Sequence, residues 1–147
     1  MQASDAVRLS GLTAHQLREW CGRRAVVTPD VPPAGRGRHA LFSWHTIIAL
    51  RVLNELHNRF GVEVIAWREA IAQCQSILKA KSFPSLWGTS VAFPNRKEAH
   101  LLRNGARPSL GACVVIELDP HLDVFATEDG LPLEQQLSLF AAVTVKR

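Results

Sequence analysis

The chain has no tyrosine, a single methionine and only three cysteines in 147 residues, and no apolar run approaches the roughly 20 residues of a membrane-spanning helix. Cys21, Cys74 and Cys113 are odd in number and widely spaced, which argues against a disulfide framework or a CxxC metal site and for buried, reduced thiols. The six histidines form no HxH or HExxH arrangement, so zinc enzyme chemistry has no footing. Neither GxSxG nor GxxxxGK[ST] occurs, and Asp119, Asp123, Glu128 and Asp129 read more simply as a cap and solvated loop than as a carboxylate dyad. No catalytic residue, metal or cofactor is assigned, and the chain is expected not to be an enzyme. Asp5 stands where a signal peptide would be basic and then apolar, so the expected location is cytoplasmic. With 47% hydrophobic and 20% charged residues, the chain has the composition of a packed core rather than of a disordered tail.

What is present begins at the N-terminus. Ser4 has the chemistry to cap a short helix through Leu9, with Asp5 in its first turn, and Ser10-Gly11-Leu12 then breaks the chain. Thr13 caps a second helix running to about Arg23, its side chain accepting from the amide of His15 or Gln16. On that helix Ala14, Leu17 and Cys21 form the inward stripe with Trp20 at its flank, leaving His15, Gln16, Arg18, Glu19 and Arg23 outside. Such a row is either an ordinary solvated face or a set able to pair with base edges and phosphates. The next segment bears on the choice. From Thr28 to His39 three prolines and two glycines preclude a helix, and Arg36, Arg38 and His39 put positive charge at the tip of a loop or short hairpin. A basic hairpin after a polar helix of groove-fitting length is the layout of a winged helix-turn-helix, with the wing on backbone phosphate or a narrow minor groove. A linker with incidental charge is the alternative.

Leu17-Arg-Glu-Trp20, Val26-Val-Thr-Pro29, Gly35-Arg-Gly-Arg38 and Leu41-Phe-Ser43, opening a long apolar helix, together resemble the DNA-binding domain of MerR-type bacterial regulators. The resemblance covers about the first half of the chain, and excisionases and other small phage and plasmid proteins share the same domain. It implies that Leu17 is buried, Arg18 meets DNA, Trp20 supports a phosphate contact, and Arg38 with Phe42-Ser43 belongs to the wing. Arg23-Arg24-Ala25 departs from the family pattern, which has a glycine and one fewer residue there, and Ala40 stands where an arginine is usual. The paired-cysteine loop that metal-sensing members carry near the C-terminus is missing.

Charge divides the same way. Residues 1–60 hold eight Lys/Arg against four Asp/Glu, whereas 61–147 hold nine of each, so the excess that would favour phosphate lies in the first part. Ser43 caps a helix from Trp44 to about Arg59, ended by Gly61. A further helix over about Val62–Lys81 places Val64, Trp67, Ile71, Cys74 and Leu78 at spacings of three and four. That stripe serves either a dimer seam or packing within the chain. Ser82 to Gly88 reads as a boundary, followed by a strand at Ser90–Phe93, a short helix at Arg96–Asn104, a loop with Pro108 and Gly111, and a strand at Ala112–Leu118. Asp119-Pro120 opens a helix to Phe125, and a helix at Leu133–Phe140 and a strand at Ala142–Val145 complete the reading.

The fold class expected is therefore mainly α with a small β content: a winged helix-turn-helix at 1–60, a connecting and dimerising helix at 61–81, and a small α+β regulatory or interaction unit at 82–147. The function expected is transcriptional regulation by a homodimer on a twofold-related operator, through Thr13, His15, Gln16, Arg18, Trp20, Arg23, Arg36 and Arg38. The C-terminal unit, more acidic than basic from Gly105 on, is expected to take a protein partner or small ligand rather than DNA or membrane. The alternative is an excisionase-like or DNA-architectural accessory factor of a phage or plasmid.

Overall fold

Gly11, at φ +72°, occupies the left-handed region that a residue with a Cβ avoids, and it lets the chain reverse between two short helices. A computed structural model of the protein describes residues 1–106 and 109–127. Helix α1 spans Ala3–Ser10 and α2 spans Ala14–Arg18, and the Gly11 amide closes the first onto Val7 O at 3.2 Å. Gln2 rather than Ser4 precedes α1, with the Asp5 carboxylate accepting from its amide at 3.3 Å. Ser4 already lies inside the helix.

Thr13 caps α2 as its sequence suggests: Oγ1 accepts from Gln16 N at 3.1 Å, and Gln16 Oε1 accepts from Thr13 N at 2.9 Å. Beyond Arg18 the helix widens into a π turn over Glu19–Arg23, and Ala25 follows at φ +47°. This is where the chain takes up Arg23-Arg24-Ala25. The inward stripe shifts as a result. Leu17 and Trp20 are buried, Cys21 is half-buried, and Ala14, in the first turn, is exposed.

Helix α3, Trp44–Phe60, is the central element, capped by Ser43 Oγ accepting from Thr46 N at 3.3 Å. Its Ile47, Ile48, Leu50, Leu53 and Leu56 are fully buried. Helix α4 is shorter than periodicity suggested, Arg68–Lys79, because the Glu63 carboxylate accepts from the amides of Ile65 and Ala66 and the chain turns through a 3-10 segment at Ile65–Trp67. The stripe that spacing offers as a dimer seam lies inside the monomer. Val64, Ile71, Cys74 and Leu78 are buried within their own chain and Trp67 is half-buried, its ring 5.8 Å from Phe93. Four of the five proposed seam residues are thus already covered and offer no surface to a second copy.

The rest of the chain covers that stripe. Strands β1 (Thr89–Asn95), β2 (Glu98–Arg103) and β3 (Val114–Glu117) form an antiparallel sheet in the order β2-β1-β3, with Val91 opposite both Leu101 and Ile116. The helix expected at Arg96–Asn104 is corrected to a hairpin turn and strand β2. Arg-Lys-Glu-Ala has good helix propensity, but Asn95 Oδ1 accepts from Lys97 N at 2.8 Å to close a turn, and pairing with β1 overrides local preference. Two bonds to α4 fix the hairpin: Ala70 N to Arg96 O at 3.2 Å and Ala99 N to Gln73 Oε1 at 3.1 Å. The strand expected at 112–118 is β3, and the helix opened by Asp119-Pro120 is α5, Asp119–Thr127. The helix expected at Leu133–Phe140 and the strand at Ala142–Val145 lie outside the described residues.

The described residues are thus mixed α/β, with five α-helices and one small three-stranded antiparallel sheet. One hydrophobic core joins them. Leu9, Leu53, Ile71, Phe83, Phe93, Leu118 and Phe125 all belong to it, so the expected divisions at 60/61 and 81/82 do not separate two cores. Within residues 82–88, Phe83 and Leu86 pack into this core, Phe83 meeting Trp44 edge-on at 5.1 Å and Phe125 at 6.2 Å.

Ile71 is 0% exposed, so Ile71→Glu puts an unpaired carboxylate into this core. The variant should lose about 3 to 5 kcal/mol in urea unfolding, enough to unfold a marginally stable domain. A variant that stays folded and only changes its sedimentation would return this side chain to an intermolecular seam.

Candidate nucleic-acid interface

The exposed groups of α2 follow from its cap and its buried side. With Leu17 and Trp20 turned inward, Thr13, His15, Arg18 and Arg23 face solvent. Neither His15 nor Arg18 has a hydrogen-bond or ion-pair partner among the described residues, which leaves the Arg18 guanidinium with its five donors open. Gln16 is half-buried and its Oε1 is held by the Thr13 amide, so only its NH₂ group remains for an outside acceptor. Arg23 and Arg24 share one carboxylate, at 3.7 Å and 3.5 Å from Glu19, and Arg24 O accepts from Arg68 Nη2 at the start of α4.

Trp20 is buried, 4% exposed, with its ring edge-on to His57 at 5.7 Å. Any part it has in meeting a ligand is indirect, through the position it gives α2. Cys21 and Cys74 are withdrawn from chemistry in the same way, since burial pushes both thiols up to about 12. Among the described residues no group of three His, Cys, Asp or Glu side chains could hold a metal ion.

The basic loop stands on a narrow base. Val31 and Leu41 form a single antiparallel bridge, and residues 32–39 are all exposed, Arg36, Arg38 and His39 among them. A cleft of about 350 Å³ separates the loop from the start of α1, lined by Gln2, Val31, Pro32, Gly37, Arg38 and Leu41 among others. Among the described residues no regular sheet supports the loop. Its orientation comes from below.

The group responsible is Asp30, which sequence reading passed over as part of the loop. Oδ2 accepts from Ser43 N at 2.6 Å and from Thr46 Oγ1 at 2.7 Å, and Oδ1 lies 3.0 Å from Lys79 Nζ. Thr46 Oγ1 in turn accepts from Gln75 Nε2 at 3.0 Å, and Gln75 exchanges bonds with Thr28 N and O at 3.4 and 2.8 Å. One polar node therefore ties the base of the loop to α3 and α4. Partial burial works against the Asp30 charge, yet the bonds from Ser43, Thr46 and Lys79 outweigh it and hold the carboxyl below its ordinary value of 3.8. No local signal marks this residue, because its partners lie 13, 16 and 49 positions away.

Compared with known proteins, the chain matches no protein-family model and no curated protein.

Because the Asp30 carboxyl is held below 3.8 in the folded chain, its contribution is complete above that pH and is lost as pH falls through the lower, folded value. Asp30→Ala should cost about 1 to 2 kcal/mol at neutral pH, at the low end because the site is partly solvated. The wild-type and variant stabilities should converge below about pH 3.8 in urea titrations. A constant difference down to pH 2 would show that the carboxylate charge is not what holds the loop.

Proposed function

We propose that this protein is a sequence-specific DNA-binding regulator of MerR type, its first 60 residues acting as a winged helix-turn-helix. The observation that carries the reading is the pairing of two exposed basic features on one anchored frame. These are the open Arg18 and His15 on α2 and the Arg36–Arg38 loop standing on the Asp30 node. Arg18 would read a guanine edge, with His15, Thr13 and the remaining NH₂ of Gln16 beside it, and Arg23 would grip phosphate. The loop would act as the wing, Arg36 and Arg38 on backbone or minor groove. Binding of a twofold-related operator by a homodimer stays part of the proposal, because one short helix reads few base pairs. The interface would have to lie outside the Val64–Leu78 stripe.

Burial of that stripe specifically favours a second reading. A chain whose expected seam is internal suits a monomer that binds tandem sites, as an excisionase-like accessory factor does. Footprints mapped across the source genome distinguish the two, inverted half-sites for the regulator and head-to-tail repeats for the accessory factor.

Arg18→Ala should lose about 1 to 3 kcal/mol of specific binding while nonspecific affinity changes little, measured by competition against unrelated duplex. Equal losses in both would make Arg18 a phosphate clamp.

Replacing Arg36 and Arg38 together by Ala should flatten the slope of log affinity against log salt by about one to two units, since fewer counterions are released. An unaltered slope would remove the loop from the interface.

A further inference from the structure

Two buried side-chain atoms among the described residues, Arg51 Nε and His121 Nδ1, lack a hydrogen-bond partner, and His121 Nε2 meets only the Glu55 carboxylate. Both residues' side chains meet in one place. Arg51 and His121 line a cavity of about 590 Å³ between α3 and the β3–α5 corner, together with Glu55, Arg59, Val115, Ile116, Glu117 and Pro120. A second depression, about 270 Å³, shares Arg51, Glu55, Arg59 and His121 and runs on to Ser10 and Gly11. Buried polar groups without partners are rare in folded chains, and their concentration at a cavity points to a ligand.

Charged side chains of both signs line it. Glu55 is already shared: Oε1 lies 3.3 Å from Arg59 Nε, and Oε2 lies 2.8 Å from His121 Nε2. Arg51 donates from Nη1 to Leu9 O at 2.7 Å and has no carboxylate within ion-pair distance among the described residues. His121 is 5% exposed, and burial, with the neighbouring Arg51 next, lowers its pKa and favours the neutral ring. The Arg51 guanidinium is therefore half-buried with no carboxylate in ion-pair contact, Glu55 acting on it only at longer range. Val115, Ile116 and Pro120 give the same cavity an apolar wall, while Glu117 at its exposed edge disfavours a second negative charge.

We propose that this cavity binds a small organic monocarboxylate, its carboxylate on the Arg51 guanidinium and its apolar body against Val115, Ile116 and Pro120. The planar fork of arginine matches a carboxylate in bidentate geometry, and the volume falls within the range of small-molecule sites. A dianion such as a phosphate monoester meets Glu55 and Glu117 and is rejected. Occupancy is felt at the other end of Arg51. The same guanidinium holds Leu9 O in the last turn of α1, two residues before the Gly11 reversal, so the ligand tightens the junction of α1 and α2.

Calorimetric titration of the full chain with acetate, hexanoate, phenylacetate, phenylacetamide and phenyl phosphate tests the site without DNA, so its failure is separate from that of the DNA-binding reading. Phenylacetate or hexanoate should bind saturably, and acetate, the neutral amide and the phosphate about tenfold or more weaker. Arg51→Gln should reduce carboxylate binding by a similar factor. If that variant does not fold, Val115→Glu, at a position 44% exposed, places a negative charge on the cavity wall and should do the same in a folded chain. Absence of saturable binding by every carboxylate, equal binding of the amide, or an unaffected Val115→Glu variant would overturn the site. Hydrogen exchange at amides 7–12 should slow when phenylacetate saturates the chain, and unchanged exchange there would overturn the link to α1.

Discussion

The carboxylate of Asp30 is the interaction on which the placement of the basic loop against α3 and α4 depends. It accepts from the amide that begins α3, from a hydroxyl one turn into that helix, and from the ammonium in the last turn of α4. The partners come from two helices, Ser43 and Thr46 at the start of α3 and Lys79 at the end of α4. A charged acceptor with several donors holds direction as well as energy, which a hydrophobic contact of the same size does not. Gln75 extends the arrangement to Thr28, so that the segment entering the basic loop is held by side chains of the two longest helices. The loop needs no sheet of its own because its base is bonded to a rigid frame.

Local chemistry was legible in the sequence, and long-range pairing was not. Thr13 and Ser43 announce their caps, Gly61 ends α3 and Asp119-Pro120 opens α5, because each depends on neighbours within four residues. The β1 and β3 segments stood out through their apolar, β-branched composition. Strand β2 did not, since Glu98-Ala-His-Leu suits a helix equally well until β1 is beside it. The spacing of Ile71, Cys74 and Leu78 correctly marked a buried face on α4, with Val64 buried just before it. What spacing cannot say is whose surface covers it, and here it is the chain's own α3 and hairpin. The Asp30 node and the Arg51–His121 cavity were invisible for the same reason. Their members come together only after helices separated by dozens of residues have packed.

The single core has a bearing on how the two halves communicate. Helix α3 faces α1 on one side and carries Glu55 toward His121 of α5 on another, while α4 holds both the loop base through Gln75 and the β hairpin through Gln73. The sheet and the base of the loop are therefore joined through packed helices rather than through a linker. Division of the chain by charge, with the positive excess confined to residues 1–60, does not correspond to a mechanical division.

The single bridge between Val31 and Leu41 sets where this protein can vary without refolding. Residues 32–40 hang from one pair of backbone groups, and 32–39 are exposed with no regular ladder to keep in register. Closing such a loop costs an entropy that grows only with the logarithm of its length, about 0.6 kcal/mol for each doubling. Insertions or deletions between Pro32 and Ala40 would thus leave α3, α4 and the core in place while changing how far the arginines at the tip extend. Reach is adjustable here by chain length alone, at a fraction of the stability that a single core substitution would remove.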